Sequence, residues 1–317
     1  MKYDLTQARK CIETLDKRRF DRALLGSGDA FRHIVSLVPL LLHLNHPALP
    51  GYVEDAPAGI ADFILSNYQQ NYLSKEHPEL VEDVQSAVNS DAVFAPILGI
   101  YVMGSFGSIS QTSASDLDIW ICHQDDLSEQ DQQRLAEKTK KISLWASTFH
   151  VEMHFYLMTQ KRFRNERYSD PLTKENSGSA QYMLLLEEFY RSAVRLSGKP
   201  LLWLHLWVED EKQYEAEVAR LVAEGELNPN DWVDFGGLGQ FSASEYFGAS
   251  LWQLYKGIDS PYKSVMKILL LETYAQEYPN AHLIARQFKE DLLSGRSTAA
   301  HHFDPYIAIL ERISQYL

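Results

Sequence analysis

MGSFGSISQTSASDLDIWICH, Met103 to His123, is the stretch on which the reading of the fold turns. It closes the apolar, β-branched run ILGIYVM (Ile97 to Met103), which reads as a strand ending at Gly104-Ser105. Ten small or polar residues follow, and Asp116 to Cys122 reads as a second strand. Side chains two apart on a strand face the same way. Asp116, Asp118, Trp120 and Cys122 therefore share one face, and Leu117, Ile119 and Ile121 form the core face. Two carboxylates separated by roughly 6.5 to 7 Å at Cα repel each other unless a positive charge lies between them. A divalent cation is the economical answer, and magnesium, a hard ion that keeps bonds to substrate phosphates, suits two aspartates in an open cleft.

A third strand is expected over Phe149 to Met158, where Glu152 interrupts the apolar alternation and shares a face with His150, His154 and Tyr156. Beside the aspartate strand, Glu152 would complete a trio of carboxylates able to cradle two ions. The Gly104-Ser105 turn would present backbone N–H groups and a hydroxyl to phosphate oxygens, and Ser108 could add a second hydroxyl. A Gly-Ser turn or a lone Asp-x-Asp says little alone; the turn, the ten-residue spacing, the hDhDh strand and the later hEh strand together are specific.

Outward from this centre, 317 residues with 45% hydrophobic content suffice for one large core or two moderate ones. No apolar run approaches the roughly 18 to 20 residues that span a bilayer, and the charged N-terminus lacks a secretory apolar segment, so a cytoplasmic chain is expected. Cys11 and Cys122 stand far apart without CxxC or Cys/His spacing, which indicates neither a disulfide framework nor a zinc site. A net charge of −13 opposes binding to nucleic acid, and the basic clusters Lys138 to Lys141 and Lys161 to Arg164 read as solvated surface.

Helical spacing covers 5–25 and 29–45, with Pro39 and Pro47 interrupting or ending the second segment, and a loop-rich connection runs to about Lys75. A short charged helix near Pro78 to Val88, a helix over Leu127 to Thr148, another over Ala180 to Leu196 and a fourth strand over Leu201 to Val208 complete the first two-thirds. From about Glu211 only helices are expected: one after a capping box at Ser242 to Glu245, one opening at Ser260-Pro261, and two near Ala281 to Leu293 and Pro305 to Leu317. The mixture implies an α/β or α+β core. The last helix carries no stop signal, which suggests a natural chain that continues.

The order Gly104-Ser105, Asp116-Leu117-Asp118 and Glu152 resembles the nucleotidyltransferase superfamily typified by DNA polymerase β. More narrowly, SASDLDIWICHQ, LLLEEFYRSAVRLSGKPLLW, DFGGL and SASEYFGASLWQLYKGIDSPYKSVMKILLLETY resemble the class I adenylate cyclases of the enterobacterial type. The likeness covers essentially the whole chain. It implies an α+β fold with a polymerase β-like palm on a small mixed sheet (96–210), an N-terminal helical region packed on it (1–95) and a C-terminal helical domain (211–317). It implies conversion of ATP to 3′,5′-cyclic AMP and pyrophosphate with two Mg2+ ions, or Mn2+, held by Asp116, Asp118 and Glu152. Gly104, Ser105 and Ser108 would bind the triphosphate. Family members are longer, and their C-terminal region responds to the glucose-specific phosphocarrier of the sugar phosphotransferase system. Phe106-Gly107 departs from the small hydroxyl residues expected after the Gly-Ser turn.

Other residues keep two readings. Trp120 would flank the nucleotide or pack against a helix. Lys199, after a helix carrying Arg191 and Arg195, reads as a phosphate contact by analogy with a superfamily lysine. Lys263 stands between phosphate contact and surface, and Lys267, four residues on, reads as surface. His43, His46, His301 and His302 lack partners at metal spacing and read as surface or loop; His150 and His154 read as packing at the cleft edge. The rival functions are nucleotidyl transfer to a small-molecule, protein or RNA hydroxyl, with RNA disfavoured by the charge, and a non-catalytic nucleotide sensor.

Overall fold

The structure, a computed structural model, describes residues 5–82, 84, 95–113, 115–165, 182–294 and 302–317. Two N-terminal helices, α1 (Leu5–Leu25) and α2 (Asp29–His43), precede α3 (Asn67–Glu76) and the strand β1 (Ile97–Met103). Then follow β2 (Leu117–His123), α4 (Glu129–Ser147), β3 (Met153–Met158), α5 (Gln160–Asn165), α6 (Tyr182–Ser192) and β4 (Val194–Gly198). The remainder is helical: α7 (Tyr214–Ala223), α8 (Ala243–Lys256), α9 (Pro261–Gln276), α10 (Ile284–Leu293) and α11 (Pro305–Tyr316), with short 3-10 turns between some of them. The expected α+β class is what the chain adopts.

The four strands form one mixed sheet in the order β3-β2-β1-β4. β1 runs antiparallel to β2, with Met103 opposite Asp118, and antiparallel to β4. β2 and β3 are parallel, with Asp118 opposite His154 and Trp120 opposite Tyr156, and α4 makes the crossover that a parallel pair needs.

Alternation along the strands divides the core into two layers. Ile100, Val102, Leu117, Ile119 and Ile121 pack with α2 and α4 on one face. Tyr101, Met103, Trp120 and Cys122 face α6 and the C-terminal helices. Helix α2 is apolar on most of its circumference, with Ile34 to Leu42 buried apart from Ser36, which is what a helix inserted between sheet and surface helices requires. On the second face Trp120 stacks on Phe189 of α6 at 4.1 Å and 10°, and Phe189 meets Phe235 edge-on at 5.6 Å. Such pairs contribute ~0.5–1.5 kcal/mol each beyond their area.

Several expectations are corrected. Pro39 lies inside α2, which continues past it to His43. The loop-rich stretch contains α3, opened by a capping box in which Ser66 and Gln69 bond reciprocally. After the 3-10 turn Pro78–Leu80, residues 81, 82 and 84 are helical, and the rest of that expected helix lies outside the described residues. The third strand begins at Met153, because the chain after α4 turns through His150 at φ +60°. Helix α6 stops at Ser192, and Val194 to Gly198 form β4 against β1; the start expected at Ala180 lies outside the described residues. The proposed strand Leu201 to Val208 is instead a buried 3-10 turn, Leu202–His205, with a single bridge from Leu201 to Val233. Among the described residues, no helix is long and apolar enough to cross a membrane.

Candidate active site

Gly104 ends β1 at φ +82°, the left-handed conformation that glycine adopts without penalty. A Cβ there would lie 4.0 Å from Asp118 Oδ2, so the turn and the aspartate are immediate neighbours. The Gly104 N–H donates to Ser192 Oγ at 3.1 Å, tying the turn to the end of α6. Ser105 is buried, and its carbonyl accepts from the Ser108 N–H at 3.0 Å and the Ser108 hydroxyl at 2.7 Å. Ser108 thus braces the turn, and it is not among the residues that line the cleft.

Phe106-Gly107 finds its reason in α1 and α2. The Phe106 ring is buried between Phe20 and Phe31, with centroids at 6.0 and 6.4 Å. Gly107 sits at φ +64°, and a Cβ would lie 2.2 Å from the Arg19 carbonyl oxygen, so helix and loop backbones touch there. Arg19 Nη2 donates to the Phe106 carbonyl at 2.8 Å, and Arg22 Nε to the Gly107 carbonyl at 2.6 Å.

The cleft opens beside this turn. On its sheet side Asp116 is exposed and Asp118 partly buried, with Tyr156 donating to Asp118 Oδ1 at 3.3 Å and His154 opposite in register. Burial, and then the Asp116 carboxylate, push Asp118 up to about 6. The far wall is helical. Glu188 of α6 faces the cleft and is paired with Lys267 Nζ of α9 at 2.7 Å. Burial opposes both charges, and the pair outweighs it, holding Glu188 below and Lys267 above their ordinary values. Lys263, one turn earlier on α9, is lowered by burial against the pull of Asp116. Trp252, Gln253 and Lys256 of α8 and Tyr306 of α11 complete that wall, with Lys256 Nζ 5.5 Å from the Trp252 ring centre.

Of the residues singled out in the sequence, Gly104, Ser105, Asp116, Asp118, Trp120 and Lys263 meet in this cleft. Trp120 is buried and its ring is occupied by Phe189, which is the packing reading, although it contributes to the cleft floor. Glu152 has the expected parity but stands just before β3; its side chain is 72% exposed, outside the cleft lining, and contacts His154 Nε2 at 3.1 Å. Lys199 pairs its N–H with the Leu98 carbonyl, at the end of β1 remote from Gly104. Six residues of strand place it roughly 20 Å from the turn, so it is remote from the phosphate site expected for it. Lys267 is a largely buried ion-pair member and not surface.

Some bland readings also fail. Lys138 is buried, its ammonium donating to the Leu44 carbonyl at 2.8 Å and to Asn45 Oδ1 at 3.2 Å. For the second basic cluster the surface reading holds: Lys161 and Arg164 are exposed, with Arg164 paired to Asp234 at 3.1 Å and to Glu215, while the side chains of Arg162 and Phe163 lie outside the described residues, as does His301. His43 accepts from the Ile60 N–H at 3.0 Å and stacks on Phe63 at 3.9 Å. Glu188, Lys256 and Tyr306 were missed. Glu188 and Lys256 both lie within stretches that carry the family resemblance, but nothing local separates them from their charged neighbours, and Tyr306 carries no local signal.

Two carboxylates, a strand-end turn and three lysines, Lys256 of α8 with Lys263 and Lys267 of α9, can divide the work of holding a cation and a polyphosphate. Among the described residues no group of three or more His, Cys, Asp or Glu is arranged to hold a metal ion, so a cation on Asp116 and Asp118 would complete its shell with substrate oxygens and water. The fold and cleft define an α+β protein in which two aspartates at the start of an interior strand face a helical wall that carries three lysines. The family model for the adenylate cyclase NT domain matches residues 4–204, and that for the second domain of class-I adenylate cyclase matches residues 241–317. The chain belongs to the class-I adenylate cyclase family. An adenylate cyclase of Haemophilus influenzae is 68% identical over 322 residues, covering 100% of this chain and 38% of that protein. One of Pasteurella multocida is 62% identical over 319 residues, again covering 100% and 38%, and one of Escherichia coli K12 is 45% identical over 307 residues, covering 96% and 36%. The chain thus spans well under half the length of these relatives. A crystal structure of the spectinomycin adenyltransferase AAD(9) from Enterococcus faecialis with ATP and spectinomycin aligns at a TM-score of 0.34 and 15% identity, over 80% of this chain and 90% of that one, too distant to bear on the site.

Proposed function

We propose that this chain holds the catalytic site of an adenylate cyclase, converting ATP to 3′,5′-cyclic AMP and pyrophosphate on a palm of the nucleotidyltransferase type. The observation that carries the reading is the juxtaposition of Asp116 and Asp118 with the Gly104-Ser105 turn on one side and Lys256, Lys263 and Lys267 on the other. The turn and the lysines bind the triphosphate; Asp118 on β2 and Asp116, the residue just before that strand, both face that space. A divalent cation, Mg2+ or Mn2+, on Asp116 and Asp118 would neutralise phosphate charge and lower the pKa of the 3′-hydroxyl. That cation fits the site, because burial and mutual repulsion leave Asp118 short of positive charge.

Nucleophile and α-phosphorus belong to one molecule, so the protein's task is to fold the nucleotide and hold an in-line geometry. The 3′-hydroxyl gives its proton to solvent as its oxygen bonds to the α-phosphorus, the bond from that phosphorus to the bridging oxygen breaks, and pyrophosphate leaves. Tyr156 orients Asp118 through its hydrogen bond, and Glu152 acts on the site through His154. Incubation with ATP and MgCl2, with products separated, tests the reading. Cyclic AMP formed without any acceptor supports it. Adenylylation of an added hydroxyl compound in place of cyclic AMP supports transfer instead, and ATP binding without pyrophosphate release supports a sensor.

A further inference from the structure

The loop after the Gly-Ser turn is fastened from two directions. From α1 come the Arg19 and Arg22 bonds to the Phe106 and Gly107 carbonyls; Gln111 adds a bridge, accepting from the Gly107 N–H at 2.6 Å and donating to the Ala23 carbonyl at 3.2 Å. From the opposite end of the chain comes Asp304. Its Oδ1 caps α11 by accepting from the N–H groups of Tyr306 at 3.0 Å and Ile307 at 3.3 Å. Its Oδ2 accepts from the Ile109 N–H at 2.8 Å and pairs with Arg22 Nη2 at 3.0 Å. The side chain has no solvent exposure. Capping a helix needs one side-chain oxygen, and Ser, Asn or Thr serve as well as Asp. The second oxygen therefore does something that capping does not demand: it joins a loop 195 residues away in sequence to the first turn of α11.

We infer that Asp304 is a positioning residue of the triphosphate turn, setting the distance between Gly104-Ser105 and the helical wall of the cleft. Two further contacts make this more than a brace. Tyr306, two residues on, itself lines the cleft, and α11 packs on α9, which carries Lys263 and Lys267. One carboxylate thus links the loop that follows the Gly104-Ser105 turn, on one side, to the helices that present lysines on the other. Triphosphate affinity then depends on where α11 sits. The inference rests on the proposed nucleotide site.

The test separates capping from positioning. Asp304→Ser keeps a good N-cap but is too short to reach Ile109 and Arg22. Asp304→Asn keeps one oxygen for the cap and turns an NH2 group toward the Ile109 N–H and Arg22. Arg22→Gln weakens the loop side without touching the cap. In all three, the Kd for a non-cyclisable ATP analogue with magnesium and the KM for ATP are expected to rise about tenfold, the scale of one lost charge-assisted hydrogen bond, with kcat changed much less. Amide exchange should accelerate at Ile109 while protection at Tyr306 and Ile307 is retained. Variants that keep the α11 protection and bind the analogue as the parent does would overturn the inference and leave Asp304 a helix cap. A parent chain that does not bind the analogue at all would instead remove the nucleotide-site reading, and this inference with it.

Discussion

Asp118 and Lys267 show how single charges are kept inside the cleft. Asp118 is held up by burial and by Asp116, so its ionised form waits for positive charge. Asp118→Asn is expected to lower cyclic AMP formation at least ~100-fold, a loss of about 3 kcal/mol of barrier stabilisation. In chelator at pH 7 the same variant should unfold at no lower temperature than the parent, because it removes a disfavoured charge; a lower midpoint would show that the carboxylate holds the fold. Lys267→Met leaves Glu188 without the ammonium at 2.7 Å. Partial exposure of both groups puts the cost near ~2 kcal/mol, below the ~3–5 of a fully buried pair. Urea denaturation should show that loss, with Glu188→Gln in the same chain recovering much of it. The aspartate pair was legible from strand alternation alone. Glu188 was not, because its neighbour Glu187 has the same chemistry but is buried against Tyr274 and Arg191, and only the rotation of α6 tells them apart.

Elements depend on their ends and on what they touch. The boxes at Ser66 and Ser242 both form, one anticipated and one passed over, which shows that capping chemistry is local and readable. Ser242→Ala is expected to cost about 1 kcal/mol, seen as a lower thermal midpoint, and to raise the KM for ATP because α8 carries Trp252, Gln253 and Lys256. Gly107→Ala combines a left-handed φ with a backbone collision against Arg19. It should destabilise by more than the ~1–2 kcal/mol of the conformation alone, and near-normal stability would mean that α1 yields. Strand β4 and the Leu202–His205 turn were misread for one reason. Val194 to Gly198 follow a helical pattern and become a strand only because β1 has a free edge, while Leu201 to Val208 lack a neighbour to pair with beyond one bridge.

Over the whole molecule, the half-buried His43 and the buried His205 give a pH signature. Burial lowers His43 to about 4 and His205 to about 3. Unfolded histidines take up protons near pH 6.5 and these do not, so the unfolded state binds more protons between those values. The histidine contribution is therefore complete above about pH 6.5 and is lost as pH drops toward 4, with a slope of up to ~1.4 kcal/mol per pH unit for each residue. Burial raises Asp16 to about 7 and Asp118 to about 6, which acts in the opposite sense over the same range. The histidine share is therefore read by comparison: between pH 7 and pH 5 His205→Asn should lose less stability than the parent in denaturation, and equal losses would remove His205 from the account. The sheet is covered on both faces, and the residues of the C-terminal helices belong to the same core layer as Trp120 and Phe189. That shared layer lets α8, α9 and α11 form the cleft wall.

What the sequence determined by itself was local. A two-residue period aims Asp116 and Asp118 the same way, a glycine closes β1 beside them, and capping residues start helices, because each depends on neighbours within a few positions. What only the tertiary structure decided was which distant groups join them. Lys199 was carried to the wrong end of β1 and Glu152 to the rim, while Glu188, Lys256 and Tyr306 were brought in and Asp304 was tied to Ile109. Such meetings are set by strand register and by the rotation of packed helices, and spacing along the chain encodes neither.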